Sequence, residues 1–311
     1  MKNSWKDSIY LQREELARIL REPLAQLAEK CTPAWGSRER LDEILTEGYA
    51  GIPYCTYLYC VDTGGIQICD NIGREGLEPG HFGRDRSDRP YMKEAVPSWG
   101  FLLSDAYISL KKHRPSLTAL QVVRDDSRIL GHLGADFDLS GLPVTARLYD
   151  EPGYWRQVKG DPSIRGAVFQ QCRAESPMDR NMEQALSILE ELLTQRGVFQ
   201  CQIHFSSSQA TIWTVDDPFR YRMLDYEALS DPDICLVYPP RPYPAEAVIP
   251  QSDIRQILNV MKSLRFADPN IYLRMASINL FNGMISLTFS CDGSHYMPHV
   301  EFLMKDTTFW F

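Results

Sequence analysis

The sequence predicts an α+β fold in two parts, and three observations carry that expectation. Apolar residues between positions 7 and 31 recur at three- and four-residue spacing. Residues 55–139 alternate strand-like runs with turns. From position 182 an order of helix, strand, turn and strand begins, and it recurs from 252.

In the first helical stretch the stripe is Ile9, Leu11, Leu16, Leu20, Leu24, Leu27 and Ala28, and Pro23 predicts a kink or break within it. A shorter helix is predicted over 38–48, with Leu41, Ile44 and Leu45 as its apolar side. These helices, residues 1–50, are expected to pack on the sheet that follows. Residues 55–61 and 66–69, around Asp62 to Gly65, read as a hairpin, and 71–86 as a connecting loop. Ser87 or Asp88 is expected to cap a short helix with Pro90 in its first turn. A short strand is expected over 105–109, then a hairpin of 117–124 and 129–139. Gly131 and Gly134 inside its second strand predict a bulge or a close backbone approach that opens one sheet face to a pocket.

Prolines punctuate residues 140–180, and Tyr149, Tyr154 and Trp155 suggest a cover over the first sheet. The expected division is therefore 51–180 for the first domain and 181–311 for the second. In the second, Met182, Ala185, Leu186, Leu189, Leu192 and Leu193 form an amphipathic helix that stops at Gly197. Alternation from Phe199 to Phe205 and a return over 210–215 predict two strands. Residues 219–230 are read as helical and 234–238 as a strand. Ser252 is expected to cap the next helix, and Asn282-Gly283 joins two further strands. The recurrence is one of order, with a poor residue match.

Composition narrows the function. A diffuse net charge of −8 disfavours nucleic acid, which needs clustered positive charge. The N-terminus lacks an apolar run behind its lysines, and no segment approaches the length of a membrane span. The expectation is a soluble, cytoplasmic chain with no membrane partner. The eight cysteines read as thiols rather than disulfides. Cys291, Asp292, His295 and His299 lie close in sequence, but Pro298 breaks the regular spacing that a metal site would use, and no metal or other cofactor is expected.

The segment richest in chemistry runs from Gly83 to Leu139. Arg84, Arg86 and Arg89 cluster at a turn and helix start, where a guanidinium fork suits a carboxylate. Asp136 sits between Ala135 and Phe137 and needs a partner there, for which an ammonium would serve. Together they describe a pocket for a zwitterion. The plainer alternative is an ion pair between Arg89 and Asp136, with Arg84 and Arg86 solvated.

The runs DRPYMKEAV, SDAYIS and VVRDDSRILGHLGADFDL resemble the Cache, or PDC, sensor domains, PAS-like folds of chemoreceptors and sensor kinases. The resemblance covers about residues 50–142. It implies a ligand site in which Arg89 holds a carboxylate, Asp136 holds an amine, and Tyr91 and Tyr107 wall the cavity. Met92 and Ala106 depart from the pattern of the amino-acid-binding members. The reading is a PAS-like Cache sensor domain with a long N-terminal helix, followed by an α+β domain of unassigned role. Its ligand would be an amino acid or another small carboxylate or amine. Signalling would run through a conformational or dimer change, with a homodimer or a protein partner left open. No catalytic residue is assigned. The alternatives are an enzyme with its site in the second domain or the cleft, and an interaction module with a degenerate pocket.

Overall fold

In the computed structural model, the leucine stripe at 16, 20, 24 and 27 is buried along α1 (Trp5–Cys31), which packs against the sheet that follows it. The structure describes residues 5–97, 99–111, 113–126, 128–144, 172–291, 293–305 and 309. The chain divides into two compact units, residues 3–147 and residues 148–311. Tyr149, Tyr154 and Trp155, the expected cover, lie outside the described residues, as do Asp292 and most of the terminal tail.

Pro23 does not end α1. A proline removes one amide donor, and here the buried leucines on either side hold the helix together across the gap. Helix α2 (Arg38–Gly48) follows, with Leu41 and Leu45 buried. The sheet of this N-terminal unit comprises β1 (Tyr57–Asp62), β2 (Asn71–Gly73), β3 (Gly76–Glu78), β4 (Phe101–Leu103), β5 (Tyr107–Ile108), β6 (Pro115–Asp125) and β7 (Arg128–Asp138). Its order is β3-β2-β1-β7-β6-β4, with β5 pairing β6, so the first and last strands meet at the centre. Helix α3 (Pro90–Lys93) stands between β3 and β4.

Several local expectations need correction. The segment expected to connect as a loop contains β2 and β3, and β2 rather than 66–69 is the ladder partner of β1. Residues 66–68 do turn back along β1 as expected, with the Asp62 amide donating to the Ile66 carbonyl and the Ile68 amide to the Cys60 carbonyl, but they form isolated bridges and no strand of their own. The residue at the start of α3 is Arg89, in extended conformation, instead of Ser87 or Asp88. Pro90 explains this, because it fixes the first helical position and forces the residue before it to extend. The helix ends at Lys93.

The C-terminal unit begins with α4 (Pro177–Arg180) and α5 (Met182–Gln195). It continues through β8 (Val198–His204), β9 (Gln209–Thr214), β10 (Asp217–Leu224) and α6 (Tyr226–Leu229). Then come α7 (Ile254–Phe266), β11 (Leu273–Asn279), β12 (Met284–Phe289), β13 (Ser294–Pro298) and α8 (His299–Met304). Of the helix expected over 219–230 only Tyr226–Leu229 is helical, since residues 217–224 form a strand, and Pro232–Leu236 is a 3₁₀ turn, capped by Asp231, in place of the expected strand. Ser252 does not cap α7, since a 3₁₀ turn precedes that helix and its N-cap is Asp253. The sheet order is β10-β9-β8-β11-β12-β13. A helix followed by three strands thus occurs twice, and the two halves meet where β8 and β11 pair antiparallel, Gln202 opposite Ser277.

This unit is pinned by a fully buried ion pair. Arg265 Nε and Nη2 donate to Asp179 Oδ1 and Oδ2 at 2.9 and 2.8 Å, while Nη1 donates to Ser206 Oγ and the Leu273 carbonyl. Asp179 also accepts from the Ser176 amide. Burial opposes the charge on Asp179, but Arg265 and the Ser176 amide outweigh it and hold the carboxyl below its ordinary range. The unfolded carboxyl protonates near pH ~3.9. The stabilisation is therefore complete above that pH and is lost as pH falls through the lower folded value. Replacing Arg265 with Met leaves the buried Asp179 carboxylate with Arg173 Nη1, 3.4 Å from Oδ2, as its remaining cation, and chemical denaturation at pH 7 is expected to show a loss of about 3 kcal/mol in this unit.

Candidate functional site

The site is built on the open face of the first sheet. Along β7 every second residue points to this face, and the registers place Tyr57 on β1 and Thr118 on β6 directly opposite Asp136. Tyr59, two residues along β1, shares the face. Its hydroxyl donates to Asp136 Oδ1 at 2.8 Å. Thr118 Oγ1 donates to the same oxygen at 2.7 Å. Because Thr118 has one proton and gives it to Asp136, the Tyr107 hydroxyl, 2.6 Å away, must donate to Thr118. Two hydroxyls thus meet one carboxylate oxygen, and a third supports it through Thr118. Burial first, and then the Asp136 charge, raise the pKa of both Tyr59 and Tyr107 well above the ordinary phenol value, so both remain protonated donors.

The two glycines of β7 mark the close approach that the sequence predicts, and the hairpin register shifts between Val123, opposite Gly131, and Arg124, opposite Ile129. The Tyr59 ring lies across Gly134, where an added Cβ would stand 2.4 Å from Tyr59 Cε2, and Trp35 together with the Val61 carbonyl crowds Gly131. These glycines do not open the face. They admit an aromatic ring and a neighbouring strand, and the Tyr59 ring becomes part of the site's floor.

On that floor lies Arg86. Its side chain is buried, with Cζ 3.6 Å from the Tyr59 ring centroid. Nε donates to Gln67 Oε1 at 2.7 Å, Nη1 to the Tyr91 hydroxyl at 3.0 Å and Nη2 to Asn71 Oδ1 at 3.1 Å. Nη1 also stands 3.8 Å from Asp136 Oδ2. Desolvation works against this charge, yet the surrounding hydroxyls and Asp136 outweigh it, and the guanidinium pKa is raised. The residue is not solvated, in contrast to the plainer sequence alternative, and the arginine nearest Asp136 is Arg86 rather than Arg89.

Above this floor is a cavity with about 590 Å³ of atom-free space, part of it open to solvent. Five of the six residues singled out in the sequence line it: Arg84, Arg86, Arg89, Tyr107 and Asp136. Tyr91 does not. It is fully buried behind the cavity, bonded to Arg86, with its ring 5.7 Å from that of Tyr107. Among the described residues the guanidinium groups of Arg84 and Arg89 have no hydrogen-bond or carboxylate partner, and Arg89 Cζ lies 6.0 Å from the Tyr107 ring centroid.

Sequence reasoning missed Tyr57, Asn71, His81 and Lys111, which also line the cavity. Lys111 is held by Glu78 at 3.2 Å and by the Tyr57 hydroxyl. Burial, with Lys111, Arg84 and Arg86 close by, lowers the His81 pKa and favours its neutral form. Alternation along β6 alone would have found Ser116, since Asp138 faces it across the hairpin. Asp138 shares the parity of Asp136, and both line the cavity.

The long helix and the sheet with its first and last strands central give the N-terminal unit its type. It is an α+β domain, an antiparallel sheet with a long N-terminal helix packed on it. Solved structures similar to this chain include an extracellular ligand-binding receptor from Desulfohalobium retbaense, 16% identical over 43% of this chain and 25% of that one, with a TM-score of 0.35. The ligand-binding domain of the Campylobacter jejuni chemoreceptor Tlp3, solved with 4-methylisoleucine, is 16% identical over 44% of this chain and 62% of that one, with a TM-score of 0.34. That of the Pseudomonas fluorescens chemoreceptor CtaA, solved with L-isoleucine, is 17% identical over 42% and 52%, with a TM-score of 0.32. The chain thus spans less than two thirds of each of these chains, and similarity this low carries no argument about function. No family model and no curated protein matches the sequence. Among the described residues no helix is long and apolar enough to cross a membrane, and no group of three or more His, Cys, Asp or Glu side chains is placed to hold a metal.

A methyl group at Gly134 would displace the Tyr59 ring from both Asp136 and Arg86. Gly134→Ala is expected to lower stability by about 1–3 kcal/mol. Gly141→Ala, where an added Cβ meets nothing within 4 Å, is expected to change it by less than about 0.5 kcal/mol in the same denaturant titration.

Proposed function

We propose that the N-terminal unit is a small-molecule sensor. Its ligand is an amino acid or another small carboxylate or amine, seated in the cavity above β1, β6 and β7. Arg89 receives the ligand's carboxylate in a paired, charge-assisted contact. Tyr107 forms a wall, and Asp136, with Oδ1 already filled by two hydroxyls, offers Oδ2 to a ligand N–H or O–H. The observation that carries the reading is the state of Arg89: half-buried at the cavity wall, with no anion among the described residues to meet it.

Signalling on this reading needs no chemistry. Arg84, Arg86 and Arg89 belong to one segment that folds over the sheet, tied to it by Gln67 amide to Arg84 carbonyl and Arg86 amide to Gly65 carbonyl bonds. A ligand bridging that segment and β7 favours the closed arrangement by its differential affinity for it. The bias is passed on through a change of conformation or of dimer contacts.

A thermal-shift screen of the purified chain against amino acids, small carboxylates, amines and nucleobases tests this. A ligand present at 100 times its Kd adds about 2.7 kcal/mol to the folded state, so a binder raises the melting temperature by several degrees. The shift is expected to disappear in Arg89→Ala and to shrink in Asp136→Ala. A shift of full size in both variants would move the site out of this cavity, and no shift from any compound class would sink the sensor reading.

A further inference from the structure

Given the sensor reading, on which this inference rests, the charges around the cavity narrow its ligand further. Four cationic side chains line the cavity, Arg84, Arg86, Arg89 and Lys111, against two carboxylates, Asp136 and Asp138. Two of the cations are already answered by the protein. Arg86 has Gln67, Asn71 and Tyr91 as acceptors and Asp136 at 3.8 Å, and Lys111 has Glu78. Asp138 in turn faces Arg114 at 4.0 Å and accepts from the Ser140 amide and hydroxyl. This leaves Arg84 and Arg89 as two positive charges without a counter-charge among the described residues, on the wall of one cavity.

We infer that the ligand carries two acidic groups, one met by Arg89 beside Tyr107 and the other by Arg84. A neutral zwitterion would bring one carboxylate for two guanidiniums. Its ammonium would approach a carboxylate that already has Arg86 beside it and two hydroxyls on Oδ1. A small diacid, with or without an amine for Asp136 Oδ2, brings the matching charge. Unpaired like charges that face one cavity raise the local concentration of an anion and repel a cation. The acids thus decide which small carboxylate is preferred, and the amine is secondary to them.

Two ligand pairs isolate the second acid. Succinate and butyrate have the same carbon count and differ by one carboxylate, as do aspartate and 2-aminobutyrate. Isothermal titration of the full chain with all four is expected to show the diacid of at least one pair binding about tenfold or more tighter than its partner, the range of a charge-assisted contact. Arg84→Gln and Arg89→Gln, both at positions whose side chains hold no structural bond among the described residues, are each expected to keep the melting temperature of the parent chain and to abolish the difference within that pair. The advantage of the diacid should also shrink as salt is raised from low to physiological strength. Equal or weaker binding of the diacid in both pairs would overturn the inference and leave the sensor reading standing. An advantage that survives in both Gln variants would also overturn it. Absence of binding by all four, with no shift from any compound in the thermal screen, would overturn both.

Discussion

Placing a guanidinium on the floor of a cavity is the constraint that the N-terminal unit is built around. A buried charge is tolerated only when its donors and its field are met. Arg86 has Gln67, Asn71 and Tyr91 as acceptors, the Tyr59 ring under its plane and Asp136 nearby. These partners come from several parts of the chain. Gln67 precedes β2 and Asn71 opens it, Tyr91 lies in α3, Tyr59 on β1 and Asp136 on β7. Satisfying one side chain therefore fixes how the segment from residue 65 to residue 91 lies over the sheet. The flanking Arg84 and Arg89 are carried to the cavity wall as a by-product of that placement.

The C-terminal unit reaches order by related means with a different outcome. Asp179 and Arg265 are both fully buried, and their bonds tie the start of α4 to the end of α7, to Ser206 and to β11. Both carboxylate oxygens and all three guanidinium nitrogens are engaged by the protein itself. A bidentate pair satisfied in this way fixes geometry. The network around Arg86 also fixes geometry, but one oxygen of Asp136 and two neighbouring arginines remain turned toward open space.

How much of this was legible in the sequence depends on the kind of signal each part uses. Alternation and turn chemistry are local, and the β6–β7 hairpin, α5, β8, β9 and the Asn282-Gly283 turn appear where those signals put them. The type of a short segment is decided by its neighbours. Residues 71–78 look like a charged loop and become strands because β1 offers them an edge, while 221–224, within a stretch read as helical, pair with β9 instead. Arg84, Arg86, Arg89, Tyr107 and Asp136 were identifiable by residue type and order. Their division of labour was not, because it depends on which guanidinium the pairing of β1 with β7 brings above Tyr59. That contact joins positions 59, 86 and 136, and no local pattern encodes it. The same holds for Gly134, whose small size serves a ring on a strand about 75 residues earlier in the chain.

The division between a committed arginine and two uncommitted ones has an evolutionary side. Stability in the N-terminal unit rests on Arg86 and its partners, whereas the wall positions 84 and 89 bear no structural bonds through their side chains among the described residues. Substitutions at those two positions are cheap for the fold. A lineage can therefore retune what the cavity accepts, exchanging one charge at a time, without first acquiring compensating mutations in the core.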